Sequence, residues 1–294
     1  MRRRSAGIIL LAFLAIGVTS SAQAQTPGRA AAPSCSLPHA PGVVAQQLVS
    51  GQRDRTYRMF VPPGYDGRTR LALVLDLHGS GGSAEGQARN SGFEGVAARE
   101  GFAVATLQAE NSRWNVPVAS GRPDDVAYVS DVIDHAAARV CIDPTRVYAT
   151  GFSGGGRMSS LLGCQLNSRI AAIAPVAALR WPGPCGGRPV PVLTFHGLAD
   201  MQNPYDGNAQ GRGAEWLESV PDALAAWARH DGCTLEALAE DPAGPLSTIR
   251  YDGCRNGTEV RLIRIDGLGH TWTKTEIDTT ATIWQFFSKH TLRD

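Results

Sequence analysis

The chain has 294 residues, 43% hydrophobic and 19% charged, with 28 basic against 27 acidic side chains. Three of the basic residues, Arg2, Arg3 and Arg4, precede the longest apolar run; without them the balance is 25 to 27, with no basic stripe, so nucleic-acid binding is not expected. That apolar run, Ala6 to Val18, is shorter than the ~20 residues that span a bilayer, so membrane insertion is not expected either.

In chain order, the three arginines, the apolar run and Ala22-Gln23-Ala24 have the layout of a signal peptide, assigned to residues 1–24, and predict a secreted or periplasmic protein. Residues 25–48 begin with a stretch rich in Pro, Ala, Ser and Gly and are expected to form a flexible lead-in. Residues 49–294 are long enough for a single domain around one large core. There, short β-rich runs alternate with helical ones, the pattern of a mostly parallel central sheet with helices on both faces.

The strand candidates are Tyr57 to Val61, Leu71 to Leu77, Ala103 to Leu107, Arg146 to Thr150, Ile170 to Pro175, Val190 to Phe195 and Val260 to Ile265. Several are continuous apolar runs, as strands buried on both sides require. Helices are predicted over Ala84 to Glu100, Asp124 to Val140, Met158 to Leu166, Ala214 to His230 and Thr279 to Lys289. Six cysteines in an exported chain favour disulfides over metal ligation, and none forms a C-x-x-C pair. No metal or organic cofactor is expected. Six cysteines allow 15 pairings, which spacing does not decide.

Gly151-Phe152-Ser153-Gly154-Gly155 fits G-x-S-x-G at the end of a predicted strand and the start of a helical stretch. At this composition the pentapeptide would arise by chance in roughly one chain in four, so its context has to carry the argument. A serine hydroxyl needs a base to take its proton, and the base needs an orienting carboxylate. Asp200 follows the sixth predicted strand and His270 the last, in the order nucleophile, acid, base. Asp206 is a rival acid. Among the other histidines, His39 lies in the lead-in, His135, His230 and His290 on helices, and His78 and His196 directly after strands, where they shape loops. His78-Gly79-Ser80-Gly81-Gly82-Ser83 can aim backbone N–H groups at an oxyanion together with the N–H of Gly154. A phosphate cradle is the competing interpretation, but it lacks the lysine of a P-loop.

The blocks Cys141 to Gly156, Phe195 to Asp200 with Pro204-Tyr205-Asp206-Gly207, and Gly269-His270-Thr271-Trp272 resemble the secreted polyhydroxybutyrate depolymerase and feruloyl esterase group. These are α/β-hydrolases related to carbohydrate esterase family one, and the resemblance runs from about Val49 to Phe287. It implies an α/β-hydrolase fold with Ser153 as nucleophile, Asp200 as acid, His270 as base, and an oxyanion hole at Gly79, Ser80 and Gly154. The implied activity is carboxylic-ester hydrolysis through an acyl-enzyme, on small or oligomeric esters such as feruloyl or acetyl sugar esters or hydroxyalkanoate oligomers. Transfer of the acyl group to an alcohol, or a binding protein that retains the fold alone, are the alternatives. Trp114, Trp181 and Trp272 are candidates to border the cleft, with Trp114 and Trp272 assigned to substrate. Local bracketing and the resemblance favour Cys233 with Cys254 and Cys164 with Cys185, leaving Cys35 with Cys141.

Overall fold

The computed structural model describes residues 35–207, 218–241 and 243–292. The signal peptide, the start of the lead-in and the first residues of the helix expected from Ala214 lie outside them. From Cys35 onward the chain forms one compact unit. Its elements are β1 (Gly42–Ser50), β2 (Arg53–Val61), β3 (Leu71–Leu77), α1 (Ala84–Ser91), α2 (Phe93–Glu100), β4 (Ala103–Leu107), α3 (Asp125–Ala137), β5 (Ile142–Phe152), α4 (Gly154–Gln165) and β6 (Ala172–Val176). They continue with β7 (Val192–Gly197), α5 (Val220–Asp231), β8 (Leu238–Glu240), β9 (Leu246–Tyr251), β10 (Val260–Ile265) and α6 (Thr279–Phe287).

Among the described residues these strands form one sheet in the order β1-β2-β4-β3-β5-β6-β7-β10-β9-β8. The centre, from β4 to β10, is parallel, while β1 and β2 at one edge and β8 and β9 at the other are antiparallel additions. This is the α/β-hydrolase fold. Side chains along a strand alternate between faces, and β3 shows the consequence. Leu73 and Leu75 join the layer beneath α3, α4 and α5 with Met158, Leu162 and Trp227, while Ala72 and Val74 join the opposite layer with Phe93, Phe102 and Phe286. All seven residues of β3 are buried. Each large apolar side chain so enclosed contributes about 1.5–3 kcal/mol relative to exposure.

The expected lead-in is corrected at its end. Gly42–Ser50 is an edge strand paired residue for residue with β2 through a turn at Gly51 and Gln52, whose φ values of 54° and 63° suit the twist of a two-residue hairpin. Most of its side chains are exposed, so no buried run marked it in the sequence. The helix expected over Ala84 to Glu100 is two helices, because Gly92 adopts φ 70° and closes α1 through its N–H to the Ala88 carbonyl. The helix expected from Met158 begins at Gly154 instead, since the glycines of the turn are already helical.

Three disulfides join Cys35 to Cys141, Cys164 to Cys185 and Cys233 to Cys254, the pairing that the resemblance favours. Among the described residues no helix is long and apolar enough to cross a membrane. A buried ion pair anchors the segment that precedes α3: Arg55 donates to Asp125 Oδ1 at 2.7 Å and lies 3.7 Å from the Tyr128 ring centre, while Asp125 Oδ2 accepts the Asn115 N–H at 2.6 Å.

Candidate active site

Every sequence-predicted reactive side chain lies past the carboxyl end of a parallel strand, at the edge where open α/β sheets build their sites. Ser153 occupies the junction of β5 and α4 with φ 53° and ψ −115°, a strained conformation for a residue with a side chain. It is held there by its own N–H, which donates to the Val176 carbonyl at 3.0 Å. The flanking glycines have a steric reason. A Cβ on Gly151 would approach the Leu77 carbonyl oxygen to 2.6 Å, and one on Gly155 would run into the Leu77 and His78 carbonyls. Thus β3, β5 and α4 meet backbone to backbone beneath the serine.

Asp200, 2% exposed, lies past β7. Its Oδ1 accepts the N–H groups of Gln202 and Asn203, both at 2.8 Å, and its Oδ2 faces His270 Nδ1 at 2.7 Å. Burial pushes the Asp200 carboxyl up, but the hydrogen bonds from His270 and Asn203 and the electrostatic influence of His270 and His196 leave the group below its ordinary value. With Asp200 ionised, the 2.7 Å contact fits a His270 ring that carries its proton on Nδ1, the arrangement in which Nε2 is able to accept one. The His270 ring leans on Phe152, the residue before Ser153, with ring centres 4.7 Å apart. Asp206, the rival acid, is exposed.

His196 lies 3.6 Å from Asp200 Oδ2, yet its Nε2 is engaged with the Asn203 carbonyl at 2.8 Å. Burial pushes its pKa down to about 4, so it stays neutral beside the acid. His78 shapes the glycine-rich loop: Nδ1 donates to the Gly79 carbonyl at 2.7 Å and Nε2 accepts the Ala109 N–H at 3.0 Å. Its pKa is lowered, chiefly by burial.

The loop after β3 lies over the nucleophile turn. A Cβ on Gly79 would come within 3.4 Å of Ser153 Cβ, and one on Gly154 within 3.0 Å of the Ser80 nitrogen. Gly79, Ser80 and Gly154 are thus brought together beside Ser153. The loop is fixed by bonds from Gly82 N–H to the Gly79 carbonyl and from Gly81 N–H to the Ser112 carbonyl. It borders a cavity of about 310 Å³ that Phe152 also lines.

Two expectations are corrected. Trp114 is 3% exposed and Trp272 5%, so neither presents its ring to a substrate. The Trp114 indole N–H donates to the His78 carbonyl at 2.8 Å, and that of Trp272 to Thr280 Oγ1 at 3.0 Å. Both brace the loops that carry the site. Of the three candidate tryptophans, Trp181 borders open space: a cleft of about 510 Å³ lined by Val116, Pro117, Arg157, Leu161, Arg180 and Trp181, among others. Arg157 and Leu161 follow Ser153 by one and two turns of α4, which places one wall of the cleft on the nucleophile helix. Buried Arg180 is in the other wall, its pKa pushed down chiefly by burial against the opposing pull of the Glu218 and Asp200 carboxylates. The i+4, i+8 spacing was the one sequence signal for this wall. The others meet only in the fold.

Residues 55–180 match the family model described as esterase PHB depolymerase. Feruloyl esterase B of Piromyces equi is 32% identical over 71% of this chain, which spans 41% of that protein's length. A protein named probable feruloyl esterase C in Aspergillus terreus is 30% identical over 69% of this chain and 77% of its own. This chain belongs to the esterase PHB depolymerase family. Among solved structures, an acetyl xylan esterase from Aspergillus awamori superposes with a TM-score of 0.60, over 83% of this chain and 99% of that one; at 14% identity the likeness is one of fold. Membership of the family makes carboxylic-ester hydrolysis the reaction class of the chain.

Proposed function

We propose that the protein is an exported serine esterase that hydrolyses small or oligomeric esters through an acyl-enzyme. The observation that carries this reading is the 2.7 Å bond between Asp200 and His270, at the same sheet edge as a strained Ser153 lying under Gly79 and Ser80. His270 Nε2 takes the Ser153 proton, Oγ attacks the ester carbonyl, and the backbone N–H groups of Ser80 and Gly154 receive the oxyanion. Protonated His270 then gives its proton to the leaving alcohol. Water repeats the sequence on the acyl-enzyme and frees the acid.

The cleft beside Trp181 and Leu161 supports a substrate whose unreactive part is apolar or aromatic. The feruloyl and acetyl xylan esterases among the relatives and structural neighbours name two ester classes to try. Three disulfides support an oxidising destination, secreted or periplasmic, with residues 1–24 removed on export. Ser153→Ala, assayed on p-nitrophenyl acetate, should lose activity by roughly 10⁴-fold or more. A folded Ser153→Ala protein that retains the wild-type rate would refute the mechanism. Comparing methyl ferulate, acetylated xylan and hydroxybutyrate oligomers on wild type and Trp181→Ala then assigns the substrate.

A further inference from the structure

One fully buried acid has no part in that mechanism. Asp76 is the next-to-last residue of β3, two positions before the glycine-rich loop starts at His78, and is 0% exposed. Its oxygens take one donor each: Gln87 Nε2 on Oδ1 at 2.7 Å and Ser91 Oγ on Oδ2 at 2.6 Å. Both donors belong to α1, whose capping residue Ser83 ends the glycine-rich loop. From Ser91 the hydrogen bonding runs on toward the base. Thr280 Oγ1 donates to the Ser91 carbonyl at 2.5 Å, and Trp272 Nε1 donates to Thr280 Oγ1 at 3.0 Å. Trp272 is two residues from His270.

The bonds of this series run in a single sense from Trp272 to Asp76 and pass through the body of Ser91, which accepts on its carbonyl and donates from its hydroxyl. All its members are buried: Ser91 0%, Thr280 2% and Trp272 5% exposed. The His270 loop touches the same place at a second point, where a Cβ on Gly92 would lie 2.7 Å from Lys274 Nζ. The Phe93 ring meets Trp272 edge-on at 6.0 Å. The junction of α1 and α2 is therefore a seat for the histidine loop, and Asp76 pins that seat to the strand from which the oxyanion loop departs.

We propose that Asp76 is a positioning residue: by accepting the Ser91 hydroxyl it fixes the Ser91–Thr280–Trp272 series and so sets His270 in register with the oxyanion loop. This rests on the roles given above to Ser153, Asp200 and His270. The chemistry of the site supports it. Burial drives the Asp76 carboxyl up to about 7, with the Ser91 and Gln87 bonds pulling it partly back. An acid this poorly solvated works against stability where an apolar side chain would pack freely, so its presence calls for a task beyond packing.

The test breaks the series away from the acid itself. Ser91→Ala removes the bond to Asp76 and Thr280→Val the two bonds of Thr280 Oγ1, both with little change of volume, while Trp272→Phe removes the indole donor at the cost of a smaller ring. Each is expected to lower kcat on p-nitrophenyl acetate about tenfold with KM held within about twofold, because the base is displaced while the cleft is intact. The Ser91→Ala/Thr280→Val double variant should be no slower than its slower parent, since cutting one series twice does nothing new. Asp76→Asn keeps an acceptor for Ser91 once Gln87 turns its amide, and should stay within about threefold of wild type where Asp76→Ala does not. Single variants with wild-type kcat, whatever their melting temperature, would overturn the proposal, and so would losses that multiply. Neither result touches the nucleophile assignment, which Ser153→Ala tests independently.

Discussion

Asp200→Asn is the sharpest test of the charge arrangement, because the structure dictates which way the amide must turn. The Oδ1 position accepts two backbone N–H groups, from Gln202 and Asn203, each at 2.8 Å. An asparagine there has to put its carbonyl oxygen on those donors, so its NH₂ group points at His270 Nδ1 across the 2.7 Å contact. That nitrogen must then become an acceptor and the ring proton moves to Nε2, the nitrogen that should take the Ser153 proton. The wrong tautomer, with no carboxylate to stabilise the imidazolium, should lower kcat by roughly 10⁴-fold, equivalent to about 5 kcal/mol. Stability should change far less, since both backbone donors remain satisfied. The assay is steady-state hydrolysis of p-nitrophenyl acetate at neutral pH, with ¹⁵N NMR of the imidazole to report the tautomer. A variant with the Nε2–H tautomer that works within tenfold of wild type would refute the roles assigned to this pair.

Asp76 makes stability depend on pH with a definite sign: its folded value of about 7 lies above the ordinary 3.8, so the folded state binds the extra proton. The associated stability is full below pH ~4 and is lost as pH rises through ~7; between pH 5 and 8 wild type should lose about 3 kcal/mol that Asp76→Asn does not, and parallel urea curves for the two proteins would contradict this. Gly155→Ala drives a methyl group into the Leu77 and His78 carbonyls and should yield little soluble protein, or activity reduced at least a hundredfold, as measured by active-site titration. Replacing Cys233 and Cys254 together by serine opens a loop with a sequence separation of 21 and should cost about 3 kcal/mol in urea unfolding, with kcat at 25 °C unchanged. Arg55→Met strands the buried Asp125 carboxylate and should destabilise by about 3–5 kcal/mol.

The central strands β3 and β4 were legible because burial on both faces leaves a largely apolar run, and Leu71–Leu77 and Ala103–Leu107 have the bounds that the sequence suggests, as does Val260–Ile265, whose apolar residues are interrupted by Arg261 and Arg264. Strands β1, β8 and β9 lie toward the sheet edges, with many side chains exposed or half-exposed, and so carry no such run. Ser153, Asp200 and His270 could be picked out because their chemistry needs a fixed chain order and short glycine-bearing turns at strand ends. The tryptophans could not be sorted, since an indole two residues from a reactive histidine can face either way. Burial of Trp272 against Phe93 and exposure of Trp181 to the cleft depend on segments distant in sequence. The Asp76 series was equally hidden, joining β3, α1, α6 and the His270 loop through side chains that are individually unremarkable.

The covalent cross-links all lie at one end of the sheet. Cys141 immediately precedes β5, Cys164 is in the last turn of α4, Cys185 and Cys254 come shortly before β7 and β10, and Cys233 follows α5. The loops that carry Ser153, Asp200 and His270 emerge at the other end, tethered by hydrogen bonds and packing. Local opening therefore has a built-in polarity: the hydrogen-bonded amides of β5 and α4 next to Cys141 and Cys164 should exchange with solvent deuterium only through large-scale unfolding, while those of the loop at 266–278 should exchange through smaller fluctuations. The floor of such a molecule is held covalently, and its rim is left free to yield.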